Sequence, residues 1–207
     1  MSELPLRVIK VGGSLLEWEN LKPALHEFLS SQSPARQVLV VGGGQLVENL
    51  RRYDRLHELD ANAVHWSAVK MMSATAEVVA SLLGGCPVVS RLKDVASMPW
   101  PGPTVVLEPY PFLRFDEPDL PGGCLAQSWD VTSDSIAARL AEVTRAQQLV
   151  LLKSALPEDA DSWQTAADIG YVDPCFPVVV SRVPCAICVN LKDPSMSVWR
   201  PLDSGRL

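Results

Sequence analysis

The sequence predicts a three-layer α/β/α sandwich with a mostly parallel central sheet, and two observations point to it. Short aliphatic runs at 6–11, 38–41, 88–89, 105–107, 149–152 and 186–189 alternate with amphipathic segments. Strands that are apolar at successive positions have no face for water, so helices must cover both sides of their sheet. The second observation is a repeated junction. RVIKVGGSLL at 7–16 and QVLVVGGGQLVENLRR at 37–52 each carry a strand straight into consecutive glycines and on into a helical pattern. Without a Cβ, glycine lets a strand end turn sharply and present bare N–H groups to an anion. Two such turns imply two phosphate-bearing ligands held by backbone.

Helices are expected at 21–30, 45–53, 61–83 and 135–144, where apolar residues recur with helical spacing. Residues 97–123 are rich in proline and glycine around one short strand and read as a long loop or hairpin excursion, of a length that often covers a site. PCFPVVVSRVP at 174–184 is ambiguous: β-branched content favours a strand, while its prolines suit an edge strand or the first turn of a helix. No composition shift marks a boundary, so residues 1–207 are expected to form one domain.

Composition narrows the partners. A hydrophobic content of 47% with mean hydropathy +0.11 excludes disorder. Net charge −6, 6% aromatic residues and no prominent basic run argue against a nucleic-acid surface, while leaving room for a small anion met by a few placed cations. Nothing approaches the roughly 18 consecutive apolar residues of a membrane span. MSELPLRVIKVGG lacks a basic region followed by a long apolar stretch, so a cytoplasmic location is expected. The five cysteines, Cys86, Cys124, Cys175, Cys185 and Cys188, read as reduced core residues. Cys185 and Cys188 have the spacing of a metal or redox pair, but no second pair completes a site, and none for metal is expected.

Lys10 stands two positions before the first glycine pair, with Ser14 just after it. Phosphoryl transfer needs positive charge and N–H donors around the moving group, because protein supplies little covalent chemistry. Lys10, Gly12, Gly13 and Ser14 offer a cation, two amides and a hydroxyl; a tight turn with a solvated Lys10 fits the same spacing. Neither G-x-G-x-x-G nor G-x-x-x-x-G-K-[ST] is present. A plain turn needs one or two glycines, so Gly42, Gly43 and Gly44 together imply a ligand packed on backbone.

In SWDVTSDSIAARLAEV at 128–143, Thr132, Ser133 and Asp134 can cap a helix and leave its positive end free for an anion. Asp134 then points at the space of Lys10 and fixes its orientation; ordinary capping with Asp134 in water is the alternative. His65, Val69, Met72 and Ala76 share one helix face, where His65 is either a packed core residue or a ligand contact. No nucleophile with a paired base appears. A phosphate acceptor requires none, since its oxygens are already ionised.

Together, IKVGGSLL, LVVGGGQLVENLRR and TSDSIAARLAEVTRAQQLVLL resemble the amino acid kinase family in order and spacing from end to end. HWSAVKMM at 65–72, SWDVTSDS at 128–135 and YVDPCFPVVV at 171–180 look most like its aminomethylfuran phosphate kinases of methanofuran biosynthesis. The resemblance implies a dimeric enzyme that uses ATP and Mg2+ to convert a small phosphorylated alcohol to a diphosphate. The implied acceptor is an aminomethylfuran-methyl phosphate, with isopentenyl phosphate or a nucleoside monophosphate as alternatives. Lys10, Gly12, Gly13, Ser14 and Ser133 would surround the transferring phosphate, with Asp134 organising the lysine. Gly42, Gly43, Gly44 and His65 would face the acceptor.

One departure stands out. Where many relatives read T-D-x-D-G after the fifth strand, this chain reads LLKSALPED, with Lys153 and Ser154 in place of Thr and Asp. Relatives with a second catalytic lysine carry it later, where this chain has Ser181 and Arg182. Lys153 is the candidate replacement; a non-catalytic ligand-binding subunit of the same fold is the alternative. The family pattern also makes 174–182 helical.

Overall fold

The computed structural model describes residues 5–97 and 104–202. Its centre is a pair of parallel strands, β1 (Leu6–Val11) and β2 (Arg36–Val41), in register from Leu6 opposite Arg36 to Val11 opposite Val41. β3 (Val88–Val89), β4 (Val105–Leu107), β5 (Gln148–Lys153), β6 (Ala186–Asn190) and β7 (Val198–Trp199) complete the sheet in the order β3-β4-β2-β1-β5-β6-β7. All pairings are parallel except β6 with β7. β7 is not evident in the sequence, because its two residues carry too short a pattern to be distinctive.

Side-chain alternation divides the strands between two cores. Val8, Val38, Val40, Leu149 and Leu151 face α6 (Ser133–Val143) and α8 (Phe176–Val180), meeting Ile136, Ala137, Leu140 and Phe176. Ile9, Val11, Leu39, Val41, Val150 and Leu152 face the other way, onto Leu21, Leu25 and Phe28 of α1 (Leu21–Ser31). α3 (Ala61–Leu82) serves both, giving Val69 and Met72 to the first core and Ala76 and Val79 to the second. Each fully buried aliphatic side chain contributes about 1.5–3 kcal/mol by transfer from water. The same parity directs two cations. Lys10 lies two residues after Val8, and Lys153 two after Leu151, so both belong to the layer of α6.

The glycine turns follow the paired ends of β1 and β2 and therefore lie side by side. A Cβ on Gly13 would sit 2.5 Å from the Gly44 nitrogen, and one on Gly42 would sit 2.7 Å from the Gly13 nitrogen. Gly44, which opens α2 (Gly44–His57), has φ +54°, the left-handed region that favours glycine. Contact between the turns and a positive φ therefore require these glycines independently of any ligand packed on them. Two of the amides are also engaged, Gly12 N–H donating to the Leu152 carbonyl and Gly42 N–H to that of Val11, each at 2.9 Å.

Other expectations change where tertiary contacts outweigh local pattern. Of the excursion at 97–123, residues 98–103 lie outside the described residues. The rest is no hairpin: β4 joins the sheet in parallel between β2 and β3. The chain then makes the short turn α5 (Pro109–Pro111), a π turn (Phe112–Asp116) and a 3-10 turn (Glu117–Asp119). Arg139 of α6 anchors this segment, 3.4 Å from Glu117 and donating at 2.8 Å to the Pro121 carbonyl. Phe176–Val180 is helical despite its β-branched content, because a proline suits the first turn and Phe176, Val179 and Val180 are buried by that geometry. α4 (Leu92–Ser97) and α7 (Trp163–Asp168), the latter opened by a Ser162–Thr165 capping box, had no clear sequence pattern. Cys188 is buried as expected, whereas Cys124 is exposed. Among the described residues, no helix is long and apolar enough to cross a membrane.

Gly42→Ala should lower stability by about 1–3 kcal/mol, the cost of forcing a Cβ into closed space. Urea denaturation checks this; an unchanged midpoint would show that the two turns separate easily.

Candidate active site

A cavity of about 630 Å3 opens at the carboxyl ends of β1, β2 and β5, where parallel sheets commonly bind ligands. Both glycine turns line it, together with Lys10, Ser14, Ser133, Asp134 and Lys153. The structure therefore brings together every site residue singled out from the sequence except His65.

At its floor, Asp134 meets two ammonium groups. Its Oδ1 is 3.0 Å from Lys10 Nζ, and its Oδ2 accepts a hydrogen bond of 2.8 Å from Lys153 Nζ. Lys153 also donates at 2.8 Å to the Tyr171 carbonyl and lies over the Tyr171 ring. The Lys10 and Asp134 side chains are each only 6% exposed. Burial pushes the Lys10 ammonium below its ordinary pKa; Asp134 opposes this shift and Lys153 adds to it. Burial by itself would raise the Asp134 carboxyl, but Lys10 and Lys153 outweigh it and hold that carboxyl below its usual range. One carboxylate thus serves two cations. Among the described residues, Lys10 makes no hydrogen bond that engages its remaining donors, and it faces the cavity.

The start of α6 bears out the capping expectation for Thr132 and narrows it to that residue. Thr132 is the N-cap and Asp134 already belongs to the first turn, its amide 3.4 Å from Thr132 Oγ1. A residue not singled out for chemistry, Asp173, carries most of the cap. Its carboxylate accepts from Thr132 N–H at 2.9 Å, Thr132 Oγ1 at 2.8 Å and Ser135 N–H at 3.0 Å, and also from Ser135 Oγ. Asp173 thus meets part of the positive end of α6 from within the protein, while Ser133 lines the cavity. Burial raises the Asp173 carboxyl, and the bonds from Ser135 resist that rise.

No family model matches the chain, and no sequence among the curated proteins matches it. Solved structures do. A UMP kinase from Ureaplasma parvum superposes with TM-score 0.60 at 13% identity, covering 93% of this chain and 92% of that one. A UMP kinase from Bacillus anthracis gives 0.61 at 12%, covering 93% and 90%. Uridylate kinase from Archaeoglobus fulgidus gives 0.56 at 15%, covering 88% of each.

This chain has the amino acid kinase fold.

Within that fold, His65 is not where the resemblance implied. It lines a second, smaller cavity of about 60 Å3 with Trp66, Arg114, Glu117 and Leu125, its ring 4.9 Å from that of Trp66. Burial lowers its pKa, against a hydrogen bond with the Ser128 backbone. Met72, on the same helix, does line the main cavity. Seven residues are two helical turns, so His65 lies ~10 Å along the axis from that point. The described part of the 97–123 excursion borders this smaller cavity as well, so it does not cover the glycine turns.

Two further residues on the main cavity escaped the sequence reading. Arg51 of α2 places its guanidinium carbon 4.2 Å from the centre of the Trp129 ring, and the Trp129 indole N–H donates at 2.7 Å to Asp54 Oδ2. Their spacing along α2 shows that Arg51 and Asp54 share a face, but nothing local indicates that this face meets Trp129. Among the described residues, no three His, Cys, Asp or Glu side chains are grouped to hold a metal ion.

Asp134→Asn removes the charge between two buried ammoniums, a change that costs about 3–5 kcal/mol in comparable buried pairs. The urea midpoint should fall accordingly and recover partly with inorganic phosphate. The sign with pH follows from the depressed carboxyl pKa: this stabilisation is present above the ordinary value of 3.8 and disappears as pH falls through the lower folded value. On the acid side, the gap between wild type and variant should therefore close only below 3.8. A gap that is already closed at neutral pH would contradict the ion pairing.

Proposed function

We propose that this protein transfers the γ-phosphoryl group of ATP to a small molecule that already bears phosphate, forming a diphosphate. The supporting observation is the convergence of Lys10 and Lys153 on Asp134 at the floor of a cavity walled by both glycine turns. Phosphoryl transfer depends on alignment and on neutralising oxygens that gain charge, which preset cations in a buried site supply. Asp134 orients both ammoniums, and the unengaged donors of Lys10 meet the oxygens of the moving group. Lys153 supplies the second cation from β5, in the stretch where relatives of the family read T-D-x-D-G. Gly12, Gly13, Ser14 and Ser133 take the nucleotide side of the cavity, and Gly42, Gly43 and Gly44 the acceptor side.

No general base is required, because a phosphate nucleophile is already anionic. Neither buried carboxylate of the cavity is free to hold a resident magnesium: Asp134 is held by two lysines and Asp173 by the start of α6. Magnesium in this reading arrives with the ATP phosphates, and the steps above use only the chain's own groups. The sequence resemblance supports an aminomethylfuran-methyl phosphate as the acceptor, and the UMP kinase structures make UMP the first alternative. The same reading includes a homodimer working in the cytoplasm.

ADP release measured over a panel of monophosphates tests the proposal. Acceptor-dependent release supports it; ATP binding with no release from any acceptor would identify a non-catalytic binding protein. Lys10→Ala should raise the barrier by roughly 3 kcal/mol, a hundredfold or more in kcat. Since burial lowers the Lys10 pKa, its proton is lost before pH reaches 10.5. The alkaline fall in kcat/KM, which reports the free enzyme, should accordingly have its midpoint below that value. Activity that persists unchanged through 10.5 would remove charged Lys10 from the reaction.

A further inference from the structure

The lobe of the cavity beneath α2 contains a cation that the reaction described above does not use. Gly44, Val47, Glu48 and Arg51 follow helical i, i+3, i+4, i+7 spacing, and all four line the cavity, so one face of α2 forms this wall. Trp129 enters from the loop leading to Asp134. Its hydrogen bond to Asp54 staples that loop to the same helix.

Arg51 is oriented by the indole yet poorly satisfied. Its guanidinium carbon lies 4.2 Å from the ring centre, whereas its buried Nε makes no hydrogen bond. The carboxylate oxygen paired with that nitrogen, from Glu48, is 3.9 Å away, beyond hydrogen-bond length, and the Glu48 side chain is 60% exposed. A planar guanidinium fixed by stacking, with donors to spare on a cavity wall, is a prepared fork for phosphate or carboxylate oxygens. Beside it Val47, Ala68, Met72 and Val131 present an apolar patch; the other polar side chains that α2 adds to the same cavity, Gln45 and Glu48, are both exposed, and Gln45 already donates to Asn49.

We propose that Arg51, held against Trp129, is the anion-recognising residue of the acceptor lobe, and that this lobe takes a compact, largely apolar monophosphate ester. The assignment rests on the transferase reading only in calling this ligand the acceptor. Arg51 then fills the phosphate-contacting role that the family resemblance gave to His65, which stands at another cavity.

Calorimetric titration of the intact protein with isopentenyl phosphate, UMP and ATP separates the possibilities without requiring turnover. Wild type should bind isopentenyl phosphate more tightly than UMP. Arg51→Gln should weaken ester binding at least tenfold while leaving ATP affinity within about twofold. Arg51→Lys keeps the charge and the stem but loses the fork, so it should also weaken ester binding and serves if the glutamine variant folds poorly. Trp129→Leu should act in the same direction by releasing the guanidinium. Unaltered ester affinity in Arg51→Gln or Arg51→Lys, an equal loss of ATP affinity, or no ester binding by wild type overturns the assignment. Tighter binding of UMP overturns the apolar-body part of it. Tight ester binding without acceptor-dependent ADP release refutes the transferase reading and leaves the Arg51 site in place.

Discussion

Asp134 sets one negative charge between two ammoniums that the sheet delivers from neighbouring strands. Removing three ions from water costs several kcal/mol each, and pairing offsets this only where geometry is close and hydrogen bonds are made. The 2.8 Å hydrogen bond from Lys153 meets that condition at Oδ2, while Lys10 pairs with Oδ1 at 3.0 Å by charge alone, and the two cations leave a surplus of positive charge around the carboxylate. That surplus is the property a phosphate would complete. It also explains why α6 must be held firmly: a small displacement of its first turn would leave both lysines buried without their common partner.

Several otherwise separate features do that holding. Asp173, arriving from the turn before α8, bonds to Thr132 and Ser135 on either side of the first residues of α6. Further along the helix, Arg139 is 1% exposed and ties the 117–121 segment through Glu117 and the Pro121 carbonyl. Apolar burial of Ile136, Ala137 and Leu140 against β1, β2 and β5 fixes its height above the sheet. The ion trio can therefore be prearranged before any ligand enters, the condition under which electrostatic groups lower a barrier most effectively.

The glycine turns contribute in a different manner from that implied by their sequence. In-register pairing brings Val11 and Val41 level, so Gly12 and Gly42 leave the sheet together and the two turns press against each other. Absence of side chains is required first for that contact. The resulting surface is bare backbone on one side of the cavity, facing Lys10 and the start of α6. Structural necessity and ligand access thus arise from the same residues, and a run of glycines alone does not separate them.

What the sequence determined was the strongest local patterns: the runs that become the first six strands, that both sheet faces are covered, that two turns are glycine-built, and that Lys10 and Asp134 stand at element ends. Strand parity, read from Val8 and Leu151, even assigns Lys10 and Lys153 to one layer. Tertiary structure decided the rest, because the decisive contacts join residues far apart in the chain. Lys153 and Asp134 are separated by 19 positions, Asp173 and Thr132 by 41, and Trp129 and Asp54 by 75. Periodicity reports which face a residue occupies and says nothing of which distant element that face will meet. For the same reason His65, on a helix that does reach the cavity, belongs to a different hollow two turns away.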